Sequence, residues 1–261
     1  MLSYQHQYHA GNLADVHKHA LLATMLDRLV QKDKPLTYME THAGRGLYDL
    51  GSAEARKTGE AEAGIARVEG LGWFAGEHPY ARALAAVRDR HGADAYPGSP
   101  LIASELLRPE DRILLAELHP QEQAALAEAL LPYAAHSRKV DGLAMAIAQT
   151  PPEPRRGLML IDPSYEVKAD YEALPALIGQ IHRKWNVGIL ALWYPILADG
   201  RHRQMLADLR SLKASKEMVH EVRFPPARAG HGMVGSGLYI LNTPYGTEDE
   251  AKRLSALYAR L

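Results

Sequence analysis

The chain has 261 residues, 47% of them hydrophobic and 23% charged, and its 30 Lys and Arg nearly balance its 31 Asp and Glu. This composition is typical of an ordinary globular protein with one large core and lacks the basic excess of many nucleic-acid-binding proteins, so any RNA-binding surface must be local. There is no cysteine and no stretch of about 18 apolar residues, which excludes disulfides, thiolate metal sites and membrane-spanning helices and favours a cytoplasmic location.

The first elements in the chain are predicted to be a helix and then a strand. Asn12, followed by leucines at helical spacing, predicts a capped amphipathic helix. The short apolar run 36–40 predicts the first strand, which leads into the turn 41–46, THAGRG. The glycines of this turn, Gly44 and Gly46, permit a tight bend and a close approach of the backbone to a ligand.

The next segment, residues 53–95, predicts a helical insertion. It is rich in Ala, Glu, Arg and Gly, has helical spacing in two places and contains no convincing strand. After it, Ser99-Pro100 predicts the start of a helix, with Ser99 as the N-cap and proline at the first helical position.

The rest of the chain alternates between predicted strands and helices. The strand–helix pairs are 113–117 with 121–131, 138–140 with 142–148, 158–161 with 169–183, and 187–194 with 201–212, and two strands follow at 218–224 and 236–241. This alternation predicts a parallel sheet with helices on both faces, in which the last two strands pair antiparallel. We therefore expect an α/β fold with seven strands in a single domain, residues 1–261, that carries the insertion.

In such sheets, ligands bind beyond the carboxyl ends of the strands. Glu117 ends the second strand, where a carboxylate can accept hydrogen bonds from both hydroxyls of a ribose, and Asp141 ends the third, where it can accept from an adenine amine. Each has a simpler alternative: Glu117 can be a surface carboxylate near His119, and Asp-Gly is a common turn pair. Together with the turn at Gly44, these strand ends would hold an adenosine.

The most informative segment follows the fourth strand, at Asp162-Pro163-Ser164-Tyr165. An acid, a proline and an aromatic ring on one rigid turn form a pocket for a flat base that carries an amine. If the Asp162 carboxylate and the Pro163 carbonyl both accept from the amine, its lone pair turns toward a nearby methyl donor, while Tyr165 stacks on the flipped base. The alternative is an ordinary Asp-Pro turn with Tyr165 in the core.

Several segments along nearly the whole chain resemble, in order, the RlmJ-type 23S ribosomal RNA adenine-N6 methyltransferases: MLSYQHQYHAGNLADVHKH, THAGRG, YPGSPLIA, LAELHP, DG, LIDPSYE, ALWYP and SGLYILN. The resemblance implies a class I, Rossmann-like methyltransferase fold with a small helical insertion, S-adenosylmethionine as sole cofactor, no metal, and one adenine of 23S ribosomal RNA as substrate. We expect a monomer without an obligate protein partner and without a membrane association.

The resemblance also implies the roles of individual residues. Asp162 is expected to be the catalytic acid and Tyr4 an RNA contact. The implied cofactor contacts are His19, His42, Ser99, Glu117, Asp141 and Gly142. Gly44 and Asp162, from the site reasoning above, are added to this set. Lys18 is expected to face solvent on the first helix.

One departure from the family pattern and three other functions remain open. The family has a second proline where this chain has Ser164, which leaves the turn with one more free φ angle. Thirteen histidines, among them His17, His19, His42 and His119, leave a metal-dependent hydrolase as an alternative, although no paired metal-ligand spacing occurs. A non-catalytic RNA-binding protein with this fold and an enzyme that methylates adenine in DNA are the other two.

Overall fold

The structure is a computed structural model and describes residues 6–214, 216–226 and 232–261. Tyr4, the predicted RNA contact, lies outside the described residues. The strands are β1 Thr37–Glu40, β2 Leu47–Asp49, β3 Ala95–Pro97, β4 Arg112–Ala116, β5 His136–Arg138, β6 Gly157–Ile161, β7 Ile189–Leu197, β8 Glu217–Arg223 and β9 Met233–Leu241. The α-helices are α1 Leu13–Val30, α2 Ala53–Thr58, α3 Arg67–Gly70, α4 Pro79–His91, α5 Ser99–Leu106, α6 Pro120–Ala129, α7 Gly142–Ala148, α8 Asp170–Lys184, α9 His202–Arg210 and α10 Thr247–Tyr258.

Seven of the strands form one sheet in the order β5-β4-β1-β6-β7-β9-β8. The pairs from β5 to β7 are parallel, and β9 runs antiparallel to both of its neighbours, β7 and β8. Every residue of β1 and β6 is buried, because helices cover both faces of the sheet and apolar strands are needed there. The predicted α/β fold, with seven strands and an antiparallel last strand, is confirmed.

Helix α1 lies against the sheet and is buried over most of its length. The side chain of Asn12 accepts a hydrogen bond from the backbone N–H of Asp15 at 2.9 Å, so the predicted cap is present. The helix packs against α4, α5, α10 and β9, which leaves few of its residues exposed. The expectation that Lys18 faces solvent is wrong, since this side chain is only 6% exposed.

The segment 53–95 is largely helical, but its end forms a strand that the sequence did not predict. β3 pairs antiparallel with β2, with Leu47 opposite Pro97, and these two strands form a separate small sheet. Each strand has only three residues and the partner lies far along the chain, so no local alternation marks the pair. Helices α2, α3 and α4 and a π-helical turn, Glu62–Ala66, lie between the two strands.

Ser99 does not cap α5 as predicted. The N-cap is Gly98, which makes no side-chain cap bond, and Ser99 is the first helical residue, with its hydroxyl directed at Glu40 instead. The hydroxyl of Ser99 therefore hydrogen-bonds to the buried carboxyl of Glu40 and makes no capping bond.

The remaining differences concern the ends of elements and one missed helix. β5 begins two residues earlier than predicted, and β7 extends to Leu197, three residues beyond the predicted end. α10 was not predicted, although acidic residues in its first turn and leucines at helical spacing mark it. Within the described ranges, no helix is long and apolar enough to cross a membrane.

Candidate active site

Three neighbouring strands bring the predicted site residues to one edge of the sheet. β4, β1 and β6 are adjacent and parallel, and they end at Ala116, Glu40 and Ile161. The turn 41–46, Glu117 and Asp162 follow these ends directly. The sheet therefore gathers the three segments at its carboxyl edge, where ligands of such sheets bind.

The turn after β1 is fixed to Glu117 through backbone hydrogen bonds. Gly44 adopts a φ of 61°, and its N–H donates to Oε2 of Glu117 at 2.8 Å. The N–H of His119 donates to Oε1 of the same carboxylate at 2.7 Å. A carboxylate has about four acceptor positions, so two remain that can receive the hydroxyls of a ribose.

Asp141 and Gly142 begin α7 beside the same turn. Oδ1 of Asp141 accepts from the N–H of Ala144 at 2.8 Å, so the residue is the N-cap of the helix, and Oδ2 has no hydrogen-bond partner within the described residues. A Cβ atom on Gly142 would lie 1.7 Å from the carbonyl oxygen of Thr41. Only glycine allows this approach, which places the Asp141 carboxylate next to the turn.

His42 lies in the turn after β1 and is influenced by the charges of two candidate carboxylates. Burial lowers the pKa of its imidazole, and the charges of Asp162 and Asp141 only partly oppose this effect. Its Nδ1 atom is hydrogen-bonded to the hydroxyl of Thr41 at 2.7 Å. Because the charges of Asp141 and Asp162 both act on the imidazole of His42, we expect the three residues to lie near one another at this edge of the sheet.

Asp162 takes part in a buried row of alternating charges. Nζ of Lys18 donates to Oδ2 of Asp162 at 2.6 Å and lies 3.2 Å from Oδ1 of Asp15. Burial alone would lower the pKa of Lys18, but the two carboxylates outweigh it and raise the pKa above its ordinary value. Lys18 is therefore a fixed cation that holds one oxygen of Asp162.

The turn that carries Asp162 is stiff in spite of Ser164. Pro163 is buried, whereas Ser164 is exposed. Tyr165 adopts a φ of 56°, which is rare for a bulky residue and marks local strain of the kind found at functional sites. Its hydroxyl donates to the carbonyl of Trp193 at 2.7 Å, which fixes the end of the turn to β7.

The ring of Tyr165 lies in the core and is only 7% exposed. It packs against Tyr171, with the ring centres 4.6 Å apart, and more loosely against Trp193. This placement agrees with the alternative in which the tyrosine is a core residue. Stacking of Tyr165 on a base needs an open ring face and stays a prediction.

Trp193 is a site residue that the sequence reasoning missed. Nζ of Lys18 lies 5.5 Å from the centre of its ring, and the indole N–H donates to the hydroxyl of Ser236 at 2.8 Å. The motif ALWYP, residues 191–195, lies within β7, and the available signal was an aromatic residue near the end of the strand predicted at 187–194.

A buried row of hydrogen bonds continues from Ser236. His17 is hydrogen-bonded to Ser236 through Nδ1 and to His220 through Nε2, both at 2.8 Å, and His220 reaches Ser255 on α10. The indole of Trp193 can only donate, so the Ser236 hydroxyl accepts from it, and this hydroxyl can either donate to Nδ1 of His17 or accept from it, according to the tautomer of His17. Burial keeps the pKa of His17 well below its ordinary value, so the row is uncharged.

Comparison with known proteins connects this site to a family. The family model described as "Ribosomal RNA large subunit methyltransferase D, RlmJ" matches residues 33–260. The chain belongs to the RlmJ family. The family and the sheet topology are those of S-adenosylmethionine-dependent methyltransferases, so the predicted family, fold class and cofactor are confirmed.

Relatives of this RlmJ-family chain are similar over almost their whole length. Ribosomal RNA large subunit methyltransferase J of Escherichia coli (strain K12) is 40% identical and aligns with 96% of this chain and 90% of its own. The protein of the same description from Haemophilus influenzae is 37% identical, with 97% and 92% covered. The crystal structure of protein LPL1258 from Legionella pneumophila is 35% identical, covers 95% of this chain and 92% of its own, and has a TM-score of 0.85.

Two of the cofactor contacts expected for the RlmJ family are buried beneath the site. The hydroxyl of Ser99 donates to Oε1 of Glu40 at 2.5 Å, and Tyr38 donates to Oε2 at 2.9 Å. His19 is hydrogen-bonded to Tyr96 at 2.9 Å, and burial lowers its pKa to about 3. Their contact with the cofactor stays a prediction.

Glu40 itself was not predicted as a site residue. It ends β1 and is fully buried, and burial raises the pKa of its carboxyl to about 8 in spite of the two hydroxyl donors. The signal in the sequence was a glutamate at the end of the predicted strand 36–40, directly before the turn 41–46.

The histidines that suggested a metal site have other partners in this RlmJ-family chain. Among the described residues, no group of three or more His, Asp or Glu side chains is arranged to hold a metal ion. The partners of His17, His19 and His42 are given above, and His119 caps α6 by accepting from the N–H of Glu122. The hydrolase alternative gains no support from this arrangement.

Proposed function

We propose that this chain methylates the N6 amine of one adenine in 23S ribosomal RNA. The observation that carries the proposal is the position of Asp162. Its carboxylate lies at the carboxyl edge of the sheet and on the first residue of an Asp-Pro turn, with Oδ2 held by Lys18. Oδ1 has no hydrogen-bond partner among the described residues, so it can accept from an amine in the pocket.

The residues around the turn fit S-adenosylmethionine, which supplies an electrophilic methyl group when it is bound. Glu117 has two acceptor positions left for ribose hydroxyls, and Oδ2 of Asp141 can accept from the amine of the cofactor's adenine. Both carboxylates lie beside the turn 41–46, whose glycines let the backbone approach closely. We assign Gly44, Glu117 and the Asp141–Gly142 pair to the cofactor.

Asp162 acts on the substrate by orienting a poor nucleophile. The lone pair of the adenine amine is delocalised into the ring, so it must be localised before it can attack a methyl carbon. We infer that Oδ1 of Asp162 and the carbonyl of Pro163 accept the two N–H groups of the amine, which turns the lone pair out of the ring plane. Bound S-adenosylmethionine would supply the methyl group for the new N–C bond and would leave as the neutral thioether, and the proton that the nitrogen gives up would pass to water.

Lys18 orients the carboxylate during this step. Because its ammonium group holds Oδ2 at 2.6 Å, the free oxygen Oδ1 keeps a fixed direction. The ammonium group also lies 5.5 Å from the centre of the partly exposed ring of Trp193.

The proposal is tested by mass spectrometry of large-subunit RNA after incubation with the protein and S-adenosylmethionine. We expect one new N6-methyladenine with the wild type and with Asp89→Ala, which changes an exposed carboxylate on α4. Asp162→Ala should give none. Equal methylation by Asp162→Ala, or methylation of DNA in place of RNA, would contradict the proposal, and cofactor binding without methyl transfer would support a non-catalytic RNA-binding protein.

A further inference from the structure

The chain just before α1 is hydrogen-bonded to the helical insertion and to strand β2 of the small sheet. We define the N-terminal segment as residues 6–12. Gln7 donates to the carbonyl of Asp49 and to the hydroxyl of Ser52, both at 2.9 Å, and the hydroxyl of Thr58 donates to the carbonyl of Tyr8 at 2.5 Å. These contacts join the segment to β2 and α2.

Glu60 makes two further contacts to this segment from within the insertion. Its side chain is 6% exposed, Oε1 lies 2.9 Å from Nδ1 of His9, and Oε2 accepts from the amide of Asn12 at 3.1 Å. Asn12 uses its other side-chain atom, Oδ1, to cap α1. Glu60 therefore fixes the residue at which α1 begins.

Gly64 lets the backbone of the insertion touch the N-terminal segment. It lies within the π-helical turn with φ −98° and ψ −107°, and a Cβ atom there would be 2.1 Å from the carbonyl oxygen of Gly11. The N–H of the next residue, Ile65, donates to the same carbonyl at 2.8 Å. Such single-turn distortions of a helix are frequent at functional sites.

The opposite side of the segment contacts the row of charges at the active site. Nε2 of His6 lies 2.8 Å from Oδ2 of Asp15, and the N–H of Gly11 donates to the same oxygen at 3.0 Å. The other oxygen of Asp15 faces Lys18, which holds Asp162. The N-terminal segment thus lies between the insertion and the carboxylate that we assign to catalysis.

We propose that the helical insertion is a clamp that positions the N-terminal segment, and through it Asp15 and Lys18, against Asp162. Glu60 is its main positioning residue, although it lies far along the chain from the catalytic turn. The functional half of this inference rests on the proposed role of Asp162. The competing view, that the insertion serves only to dock RNA, assigns no role to a buried carboxylate that faces the first helix.

The test compares Glu60→Ala with Glu60→Gln and with Glu62→Ala, which removes an exposed carboxylate from the same turn. Hydrogen exchange measured by mass spectrometry reports whether the N-terminal segment is held in place, and the measurement does not depend on methyl transfer. We expect faster exchange over residues 6–15 in Glu60→Ala and no change in Glu62→Ala. Glu60→Gln should restore much of the protection, since the amide oxygen can still accept from Asn12.

Methyl transfer to RNA then reports the consequence. We expect Glu60→Ala to lower kcat roughly tenfold or more at saturating cofactor and RNA, because small displacements of a catalytic group have large effects on rate. Glu60→Gln should recover most of the rate, and a melting temperature for each variant separates this effect from general unfolding. Thr58→Val removes the hydrogen bonds from this hydroxyl to the carbonyls of Tyr8 and Ala55, and it should give a milder version of the same result.

Two results would overturn the clamp. One is unchanged exchange over residues 6–15 in a folded Glu60→Ala variant, and the other is faster exchange with an undiminished kcat. A wild-type protein that fails to methylate RNA would refute the proposed function, and the exchange data would still decide whether the insertion holds the segment.

Discussion

Nζ of Lys18 lies 2.6 Å from Oδ2 of Asp162, and this bond joins the first helix of the chain to the turn after the fourth parallel strand. Both side chains are largely buried, at 6% and 13% exposed. A second carboxylate, Asp15, lies on the other side of the ammonium group. The carboxylate of Asp162, at the carboxyl edge of the sheet, is therefore paired with a positive charge from α1, which precedes the sheet in the chain.

Replacing Lys18 by Met should abolish most methyl transfer and destabilise the protein. The substitution keeps the length of the side chain but leaves two largely buried carboxylates without their cation, which costs on the order of 3 kcal/mol. Urea unfolding measures the loss in free energy of unfolding. In the double variant Lys18→Met with Asp162→Asn, much of this loss should be recovered, and strictly additive losses would contradict a direct pair.

Replacing Glu117 by Ala should weaken the binding of S-adenosylmethionine. The change removes the acceptors for a ribose and releases the N–H groups of Gly44 and His119. We expect affinity to fall about tenfold to a hundredfold, because hydrogen bonds to charged groups contribute about 1.5–3 kcal/mol. Calorimetry measures the change. Glu128→Ala, at an exposed position on the following helix, should bind as the wild type does, and equal affinity of the two variants would exclude this role.

Glu40 should make the protein less stable as the pH rises. Burial raises the pKa of its carboxyl from 4.5 to about 8, so between these values the folded state keeps a proton that the unfolded state has lost. Its contribution is therefore fully favourable below pH 4.5 and is lost progressively up to about pH 8. Glu40→Gln, which imitates the protonated form, should raise the free energy of unfolding at pH 8 by a few kcal/mol, to order of magnitude.

Measuring Glu40→Gln and the wild type at a second, lower pH provides the control. At pH 4.5 the two proteins should unfold at similar urea concentrations, since both have an uncharged side chain. A difference that is the same at both pH values would show that the carboxyl is not responsible.

Replacing Ser164 by Pro should leave the enzyme active and make methyl transfer as fast or faster. The side chain is exposed, and proline would fix a φ angle in a turn that Pro163 and Tyr165 already hold. Single-turnover measurements with saturating RNA separate this step from product release. An inactive Ser164→Pro variant would show that the turn needs the freedom that serine gives it.

The sequence predicts those parts of the site that follow strand ends. Asp162 and Glu117 directly follow apolar strands, and a parallel sheet brings such positions together, so their neighbourhood followed from local patterns and topology. Lys18 could not be predicted in this way. A lysine on a helix is usually a surface residue, and only the tertiary contacts of Lys18 with Asp162 and Trp193 reveal its burial.

Contacts between distant segments were the part that local patterns could not supply. The pairing of β2 with β3 and the two bonds from Glu60 join residues far apart in the chain, and neither has a periodic signature. Ser99 shows a related limit, because a serine before a proline suits an N-cap equally well whether or not a buried carboxyl lies nearby. α10 is different, since its signals were present in the sequence.

The contact between Gly142 and the carbonyl of Thr41 has a consequence for how the family can vary. The two segments that we propose to hold the cofactor meet backbone to backbone, with no room for even a methyl group between them. The distance between these two segments is therefore set by the main chain itself, and position 142 tolerates only hydrogen in place of a side chain.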